Sequence, residues 1–390
     1  MHKKRTRKKN EFCTGKISQE LLWKFCQKLC IVFFVNNFDS AKTSFIDLFC
    51  GCGGFTKGFS EAGFYSIFGI DVWKDATVTY KHNFPNSVAF CGDIKELSSG
   101  KIFELTKLKK NDIPLIIGGP PCQGFSVAGK RIVDDERNKL YKSFVRLVDE
   151  IKPKVFVMEN VPNILSIGDG IVKESVLNDF TEIGYNVAYK ILTASDYGVP
   201  QARRRAFFVG LNKDIFGEEK FEFPESQNTC VTSLEALSDL PEDSVLDGTN
   251  YFTEAKSDYQ KLMRQNSQKI YNHEITQHSE QTKKIIALVP DGGNYKNLPL
   301  DLQQTRKVHI AWTRLNSNKP SFTIDTGHRH HFHYKWNRIP TVRESARLQS
   351  FPDDFVFIGT KTSQYKQVGN AVPPLLAKAI ANKIMEMLNV

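Results

Sequence analysis

The chain has 390 residues, 41% hydrophobic and 25% charged, a composition that excludes disordered and fibrous classes and suffices for two lobes. Lys and Arg outnumber Asp and Glu 53 to 43, and the pI near 9.0 suggests a polyanionic partner while saying nothing about the fold. The eight cysteines, at 13, 26, 30, 50, 52, 91, 122 and 230, include no Cys-x-x-Cys pair or zinc-type Cys/His spacing, which fits a reducing cytoplasm.

Residues 1–9 carry six Lys or Arg, and residues 17–35 follow as an amphipathic helix in which Lys28 interrupts the apolar run. What remains, Leu29 to Val35, falls far short of the ~20 residues that span a bilayer, and no small-residue cleavage site follows it. Residues 1–40 therefore form a basic extension, either touching DNA phosphates or simply solvated. From Thr43 strands and helices alternate. Strands are expected at Phe45 to Phe49, Tyr65 to Ile70 (ended by Asp71), Leu115 to Ile117, Val155 to Met158 and Ala206 to Leu211, with helices at Tyr141 to Ile151 and Ser175 to Ile183. This rhythm predicts an α/β fold with a mostly parallel sheet covered on both faces. It lapses after Asn212. Residues 215–335 are polar and irregular yet keep aromatics such as Tyr251, Tyr259, Trp312 and Trp336, which favours a folded second lobe. Leu375 to Leu388, following Pro373-Pro374, reads as an amphipathic helix returning to the first lobe.

The most informative segment runs from Ile113 to Ser126, where an apolar strand stops at Gly118-Gly119-Pro120-Pro121 and presents Cys122. Glycine permits close approach, proline fixes φ, and ligands bind at strand carboxyl ends in open α/β sheets. A nucleophilic cysteine suits this turn better than a buried structural one. Upstream, Asp47-Leu48-Phe49-Cys50-Gly51-Cys52-Gly53-Gly54 joins a strand to a helix through a turn with bare backbone at Gly51 and Gly53. Asp71 and Asp93 stand at later strand ends, where acids accept ribose hydroxyls or an adenine amino group, so the set describes a nucleoside pocket without a phosphate clamp. Glu159 follows another apolar strand, a place where burial would keep a carboxyl protonated, although a helix-capping or ion-paired acid reads the same way. In Gln201-Ala202-Arg203-Arg204-Arg205, Arg203 and Arg205 lie two apart on one face, suited to holding a phosphate or a carbonyl, or lining a solvated edge.

Together these motifs resemble those of the DNA (cytosine-5) methyltransferase family, bacterial restriction–modification type, from about Ser44 to the C-terminus. Asp-Leu-Phe-x-Gly-x-Gly-Gly at 47–54, Gly-Asp-Ile at 92–94, Gly-Pro-Pro-Cys-Gln-Gly-Phe-Ser at 119–126, Glu-Asn-Val at 159–161, Gln-x-Arg-x-Arg at 201–205, Arg-Glu-Ser-Ala-Arg-Leu-Gln-Ser-Phe-Pro at 343–352 and Gly-Asn-Ala-Val-Pro-Pro at 369–374 occur in the family's order. Cys50, where an alanine is usual, departs harmlessly. The resemblance implies a Rossmann-like S-adenosylmethionine-dependent methyltransferase sheet and a smaller irregular target-recognition lobe. Residues 41–214 would be the catalytic and cofactor-binding domain, 215–363 the recognition domain, and 364–390 a segment returning to the first. It places S-adenosylmethionine in the glycine-turn pocket, with Phe49 against adenine, Gly51 and Gly53 in the turn, Asp71 at the ribose, Asp93 at the adenine amino group and Asn370 beside cofactor and cysteine loop. Cys122 would add to C6 of a flipped-out cytosine, Glu159 would serve N3 and the 4-amino group, Arg205 would hold O2, and Arg203 and Gln201 would position the pocket. The loop from Gln123 to Leu140 would close over double-stranded DNA, with contacts from Gln123, Ser126, Lys130, Arg131, Arg137 and Gln201. The expected protein is a cytoplasmic monomer without membrane or metal, paired functionally with a cognate restriction endonuclease. His328 to His333, and likewise His273 and His278, match no zinc spacing and read as DNA contacts or surface histidines. The rivals are a tRNA cytosine-5 methyltransferase, whose Cys-Phe-Thr signature is missing from residues 215–340, and a DNA-binding regulator using the N-terminal segment.

Overall fold

Short apolar runs bounded by turns assemble into one seven-stranded sheet. The computed structural model describes residues 43–121, 127–128, 131–132, 138–227, 229–303, 312–326 and 331–388, so the basic extension lies outside the described residues. The strands are β1 (Ser44–Leu48), β2 (Tyr65–Asp71), β3 (Val88–Cys91), β4 (Leu115–Gly118), β5 (Val155–Asn160), β6 (Tyr185–Thr193) and β7 (Arg204–Asn212). Their order is β3-β2-β1-β4-β5-β7-β6, with β7 antiparallel to both β5 and β6 and the other pairings parallel. The strand order reverses between β1 and β4, the kind of point where open α/β sheets bind ligands. Register aligns Leu48 with Gly118 and Gly118 with Met158, so Phe49, Gly119 and Glu159 stand side by side at the carboxyl edge.

Helices cover both faces, as the β/α alternation requires. On one face α4 (Asn138–Ile151) buries Tyr141, Phe144, Val148 and Ile151, spaced to form one apolar stripe. Phe156 of β5 stacks at 4.0 Å on Phe180 of α5 (Ile171–Glu182) beneath it. Between β1 and α4 run α1 (Gly54–Glu61), α2 (Lys74–Asn83) and α3 (Ser99–Thr106). On the other face α1 packs against the C-terminal helix α8 (Pro374–Leu388), which buries Leu376, Ile380 and Ile384 and returns to the first lobe as expected. Gly58 makes that contact: a Cβ there would sit 2.3 Å from the Pro374 carbonyl and 2.4 Å from the Ala377 Cβ. Two strands of the sheet are absent from the expected runs: β3, implied only by the acid at Asp93, and β6, an edge strand whose exposed Tyr189 and Lys190 obscure its apolar alternation.

The chain after Asn212 folds around its own core. Trp312 stacks on Phe332 at 5.7 Å, and Leu315, Ile339, Phe351, Phe355 and Phe357 complete it, with Cys52 from the first lobe's glycine turn joining in. Through it runs α6 (Val342–Leu348), every residue of which is buried, including Arg343, Glu344 and Arg347. Buried charges persist only when paired. Arg347 reaches Asp353 at 2.6 Å and Asp239 at 3.1 Å, and Arg338 grips Glu344 at 2.7 Å. The lobe's histidines correct an expectation. His273 and His333 are each 1% exposed and belong to this core, not to a DNA-facing surface. His273 Nδ1 meets the Thr341 hydroxyl at 3.0 Å, and His333 Nδ1 accepts from the Lys335 and Trp336 amides at 3.1 Å. His278 Nε2 accepts from the Ile339 amide at 3.3 Å. His328 and His330 lie outside the described residues.

This histidine predicts a pH dependence. Burial pulls His333 down to about 4, while Glu344, which burial alone would raise, is drawn down to about 2 by His333 and Arg338. Below the ordinary histidine range the unfolded chain binds a proton that the folded chain refuses, so stability falls as pH drops from about 6.5 towards 4, and Glu344 adds a loss further down. Melting temperature should therefore decline between pH 7 and 4.5. His333→Asn, which keeps an acceptor for the two amides but cannot titrate, should flatten the upper part of that decline. An unchanged slope in the variant would remove His333 as the cause.

Candidate active site

The turn after β1 is built from residues that tolerate its backbone. Phe49, Gly51 and Gly53 have φ of 70°, 53° and 102°. Gly53 caps α1, and a Cβ there would sit 2.3 Å from the Phe84 ring, so glycine is required twice over. Nothing lies within 4 Å of where a Gly51 Cβ would point, leaving open space against bare backbone. Asp71 at the end of β2 locks the turn: one oxygen accepts from the Gly51 amide at 2.9 Å, the other from the Trp73 amide at 2.8 Å. Burial raises its pKa, opposed by those amides. Asp93, past β3, is more exposed and is held by the Lys95 amide at 2.9 Å and its ammonium at 3.3 Å.

These groups face one cavity of about 650 Å³, whose walls include Phe49, Asp71, Asp93, Pro121, Glu159 and Asn370. That size holds a nucleoside-containing ligand. Two carboxylates at adjacent strand ends, bare backbone and no phosphate loop suit S-adenosylmethionine. Asn370 ends α7 (Lys361–Asn370), and its neighbour Gly369 is held by Arg203, whose Nη2 donates to the Gly369 carbonyl at 3.0 Å.

At the other end of the cavity Glu159 lies within β5, 13% exposed, with its Oε1 2.8 Å from the Arg205 Nε. Burial raises its pKa, and Arg205 and Arg203 oppose that rise. The acid is thus ion-paired, as one reading allowed, and it also faces the cavity. Its neighbour Asn160 donates to the Pro120 carbonyl at 2.9 Å, tying the turn before Cys122 to the same strand. Arg203 and Arg205 part company in the structure. Arg205 serves Glu159, whereas Arg203 is 2% exposed and also donates to the Ile324 carbonyl at 3.3 Å. Burial and Arg205 pull Arg203 down to about 9, with Glu159 opposing, so it remains a cation at neutral pH.

Gln201 is a correction. It was expected among the DNA contacts, but it is fully buried and works as a strut. It donates to the Leu348 carbonyl at 3.1 Å and to Gln349, and accepts from the Ile324 amide at 2.9 Å; Gln349 in turn donates to the Ala371 carbonyl at 2.6 Å. The Gln-x-Arg-x-Arg segment is thereby connected to the residue after Asn370. Cys122, Gln123, Ser126, Lys130 and Arg137 lie outside the described residues, as does the side chain of Arg131.

Sequence reasoning passed over three residues here. Asp47, inside β1, is buried and accepts the Thr56 hydroxyl at 2.6 Å; burial pushes it up to about 8, so this acid under the glycine turn holds its proton at neutral pH. A carboxylate inside the run Phe45-Ile46-Asp47-Leu48-Phe49 was the available signal. Gln349 and Cys52 carried none, because their partners lie in the other lobe. Burial also pushes the Cys52 thiol up to about 12 and the Cys50 thiol well above its usual range, so neither is a nucleophile.

Residues 43–386 match the C-5 cytosine-specific DNA methylase family. The chain is 39% identical over 364 residues to the type II methyltransferase M1.HphI of Haemophilus parahaemolyticus, covering 92% of this chain and 91% of that protein. It is 40% identical over 369 residues to M.DdeI of Desulfomicrobium norvegicum, covering 87% and 88%. Among solved structures, one described as a prophage-encoded DNA modification methyltransferase of E. coli superposes with a TM-score of 0.73 at 31% identity, covering 89% and 99%. The S. pombe Dnmt2 methyltransferase, at TM-score 0.56 and 17% identity, shares the fold. The chain belongs to the C-5 cytosine-specific DNA methylase family and is a DNA cytosine-5 methyltransferase of the type II restriction–modification kind.

Proposed function

We propose that the protein methylates C5 of a cytosine flipped out of a specific double-stranded DNA sequence, through a covalent bond between Cys122 and C6. The supporting observation is the single cavity that runs from Asp71 and Asp93 to Glu159, with Pro121, one residue before Cys122, on its wall. S-adenosylmethionine, when bound at the glycine-turn end, supplies an electrophilic methyl group. Phe49, Gly51, Gly53, Asp71, Asp93 and Asn370 would hold it there.

Cytosine C5 is a weak nucleophile, and the protein's task is to make it electron-rich. A cysteine with pKa ~8.5 is already partly thiolate at neutral pH. Its sulfur adds to C6, breaking the 5,6 double bond and leaving an enamine with electron density at C5. Glu159 serves as the acid at N3, and its burial raises its pKa against the pull of Arg205 and Arg203. Arg205 orients that carboxyl and holds O2, while Arg203 and Gln201 keep the strand start in place. After methylation a base removes the C5 proton, the electrons restore the 5,6 bond, and the thiolate leaves. The target reaches this pocket only by leaving the duplex stack. Closure by the loop from Gln123 to Arg137, shorter than expected because α4 already begins at Asn138, with Lys130, Arg131 and Arg137 on phosphates, would exclude water.

Sequence recognition is assigned to residues 215–363, and the modification would protect host DNA from a cognate endonuclease. Bisulfite sequencing of DNA from a host expressing the protein tests this directly. Protected cytosines should occur in one sequence context and disappear in a Glu159→Gln strain. Protection in no context would sink the proposal.

A further inference from the structure

Residues 321–326 belong to the chain of the second lobe but run against the catalytic strands. Ser321 donates its amide to the Pro200 carbonyl at 2.9 Å, and its carbonyl accepts from the Ala202 amide at 2.9 Å. Ile324 is held at both ends, its amide by Gln201 at 2.9 Å and its carbonyl by Arg203 at 3.3 Å. Three residues beyond Ala202 stands Arg205, paired with Glu159. The segment therefore borders the strand start that carries the Arg205–Glu159 pair.

Burial along the segment is uneven. Ser321 and Ile324 are buried, whereas Phe322 and Thr323 are exposed, Phe322 by 45%. An isolated surface phenylalanine is unremarkable. This one has a fixed ring, stacked on His331 with centroids 5.2 Å apart and planes 25° from parallel. A pre-set aromatic face presents its area at little entropic cost on binding.

We infer that Phe322 stacks on a DNA base next to the position vacated by the target cytosine, an inference that rests on the base-flipping reading above. Extruding a base forfeits its stacking, and an aromatic ring beside the gap returns part of it. Stacking is sequence-tolerant, since every base has a π-face, so Phe322 holds the open duplex while other groups read the sequence.

The test uses the full-length protein, S-adenosylhomocysteine, and a duplex containing the site mapped by bisulfite sequencing with 2-aminopurine at the target position. Unstacking of the probe raises its fluorescence. The wild-type protein should produce a strong rise. Phe322→Ala should lose most of it and bind the duplex about tenfold more weakly, as expected for one lost base–aromatic stack. Phe322→Tyr should restore both, and neither variant should change the melting temperature or the calorimetric affinity for S-adenosylhomocysteine. A full fluorescence rise in Phe322→Ala overturns the inference, as does a loss accompanied by weaker folding or cofactor-product binding. If the wild-type protein binds the duplex without any rise, the base-flipping reading itself falls, and this inference with it.

Discussion

Duplex DNA carrying 5-fluorocytosine at the target position is expected to become covalently joined to the protein in the presence of S-adenosylmethionine and to survive denaturing electrophoresis. Fluorine leaves no removable hydrogen at C5, so the sulfur cannot be expelled once methylation has occurred. Cys122→Ser should abolish the adduct, because an alcohol is far less ionised than a thiol at neutral pH. Cys50→Ser and Cys52→Ser should still form it. Their thiols are buried and pushed upward by that burial, and Cys52 is committed to a contact with the Gln367 carbonyl at 3.6 Å. Peptide mapping of the adduct to any cysteine other than 122 would overturn the assignment.

The second large effect concerns Glu159. Replacing it with glutamine preserves the shape of the side chain and an acceptor for the Arg205 Nε, now 2.8 Å from the carboxylate, but removes the proton meant for N3. Single-turnover methylation should slow by ~10²–10⁴-fold, the usual contribution of a general acid or base. Binding of S-adenosylhomocysteine and of DNA should remain close to wild type. Burial raises the Glu159 pKa despite two nearby arginines, so the wild-type single-turnover rate should also fall as pH rises and the group deprotonates. That limb should be missing from Glu159→Gln. An unchanged single-turnover rate in the variant would remove Glu159 from the mechanism.

The strut from Gln201 through Gln349 to Ala371 gives the site its unity. Its residues come from the strand start that carries Arg205, the end of α6, and the segment that follows Asn370. Cofactor end and base end of the cavity are thus referenced to one buried hydrogen-bonded chain, where an unmade bond would cost ~1–3 kcal/mol. Catalytic geometry that depends on fractions of an ångström needs such support.

Much of this was written in short stretches of sequence. Alternating apolar runs and helices predicted the sheet, and glycines at 51 and 53 marked a turn whose φ values of 53° and 102° exclude most other residues. Asp71, Asp93 and Glu159 announced themselves as acids at strand ends, because a strand's carboxyl end is a local property. Tertiary structure alone decided what became of the polar residues whose partners are remote in the chain. Arg347 is buried because Asp239 lies opposite it, and Cys52 leaves the glycine turn to join the second lobe's core. Gln201 became a strut and His273 a core residue because the groups that satisfy them come from elsewhere in the fold, whereas His333 is satisfied by the nearby Lys335 and Trp336 amides. Local sequence records backbone conformation and hydrophobic period, which act over a few residues. Whether a polar group is buried depends on a partner that only folding brings within hydrogen-bonding distance.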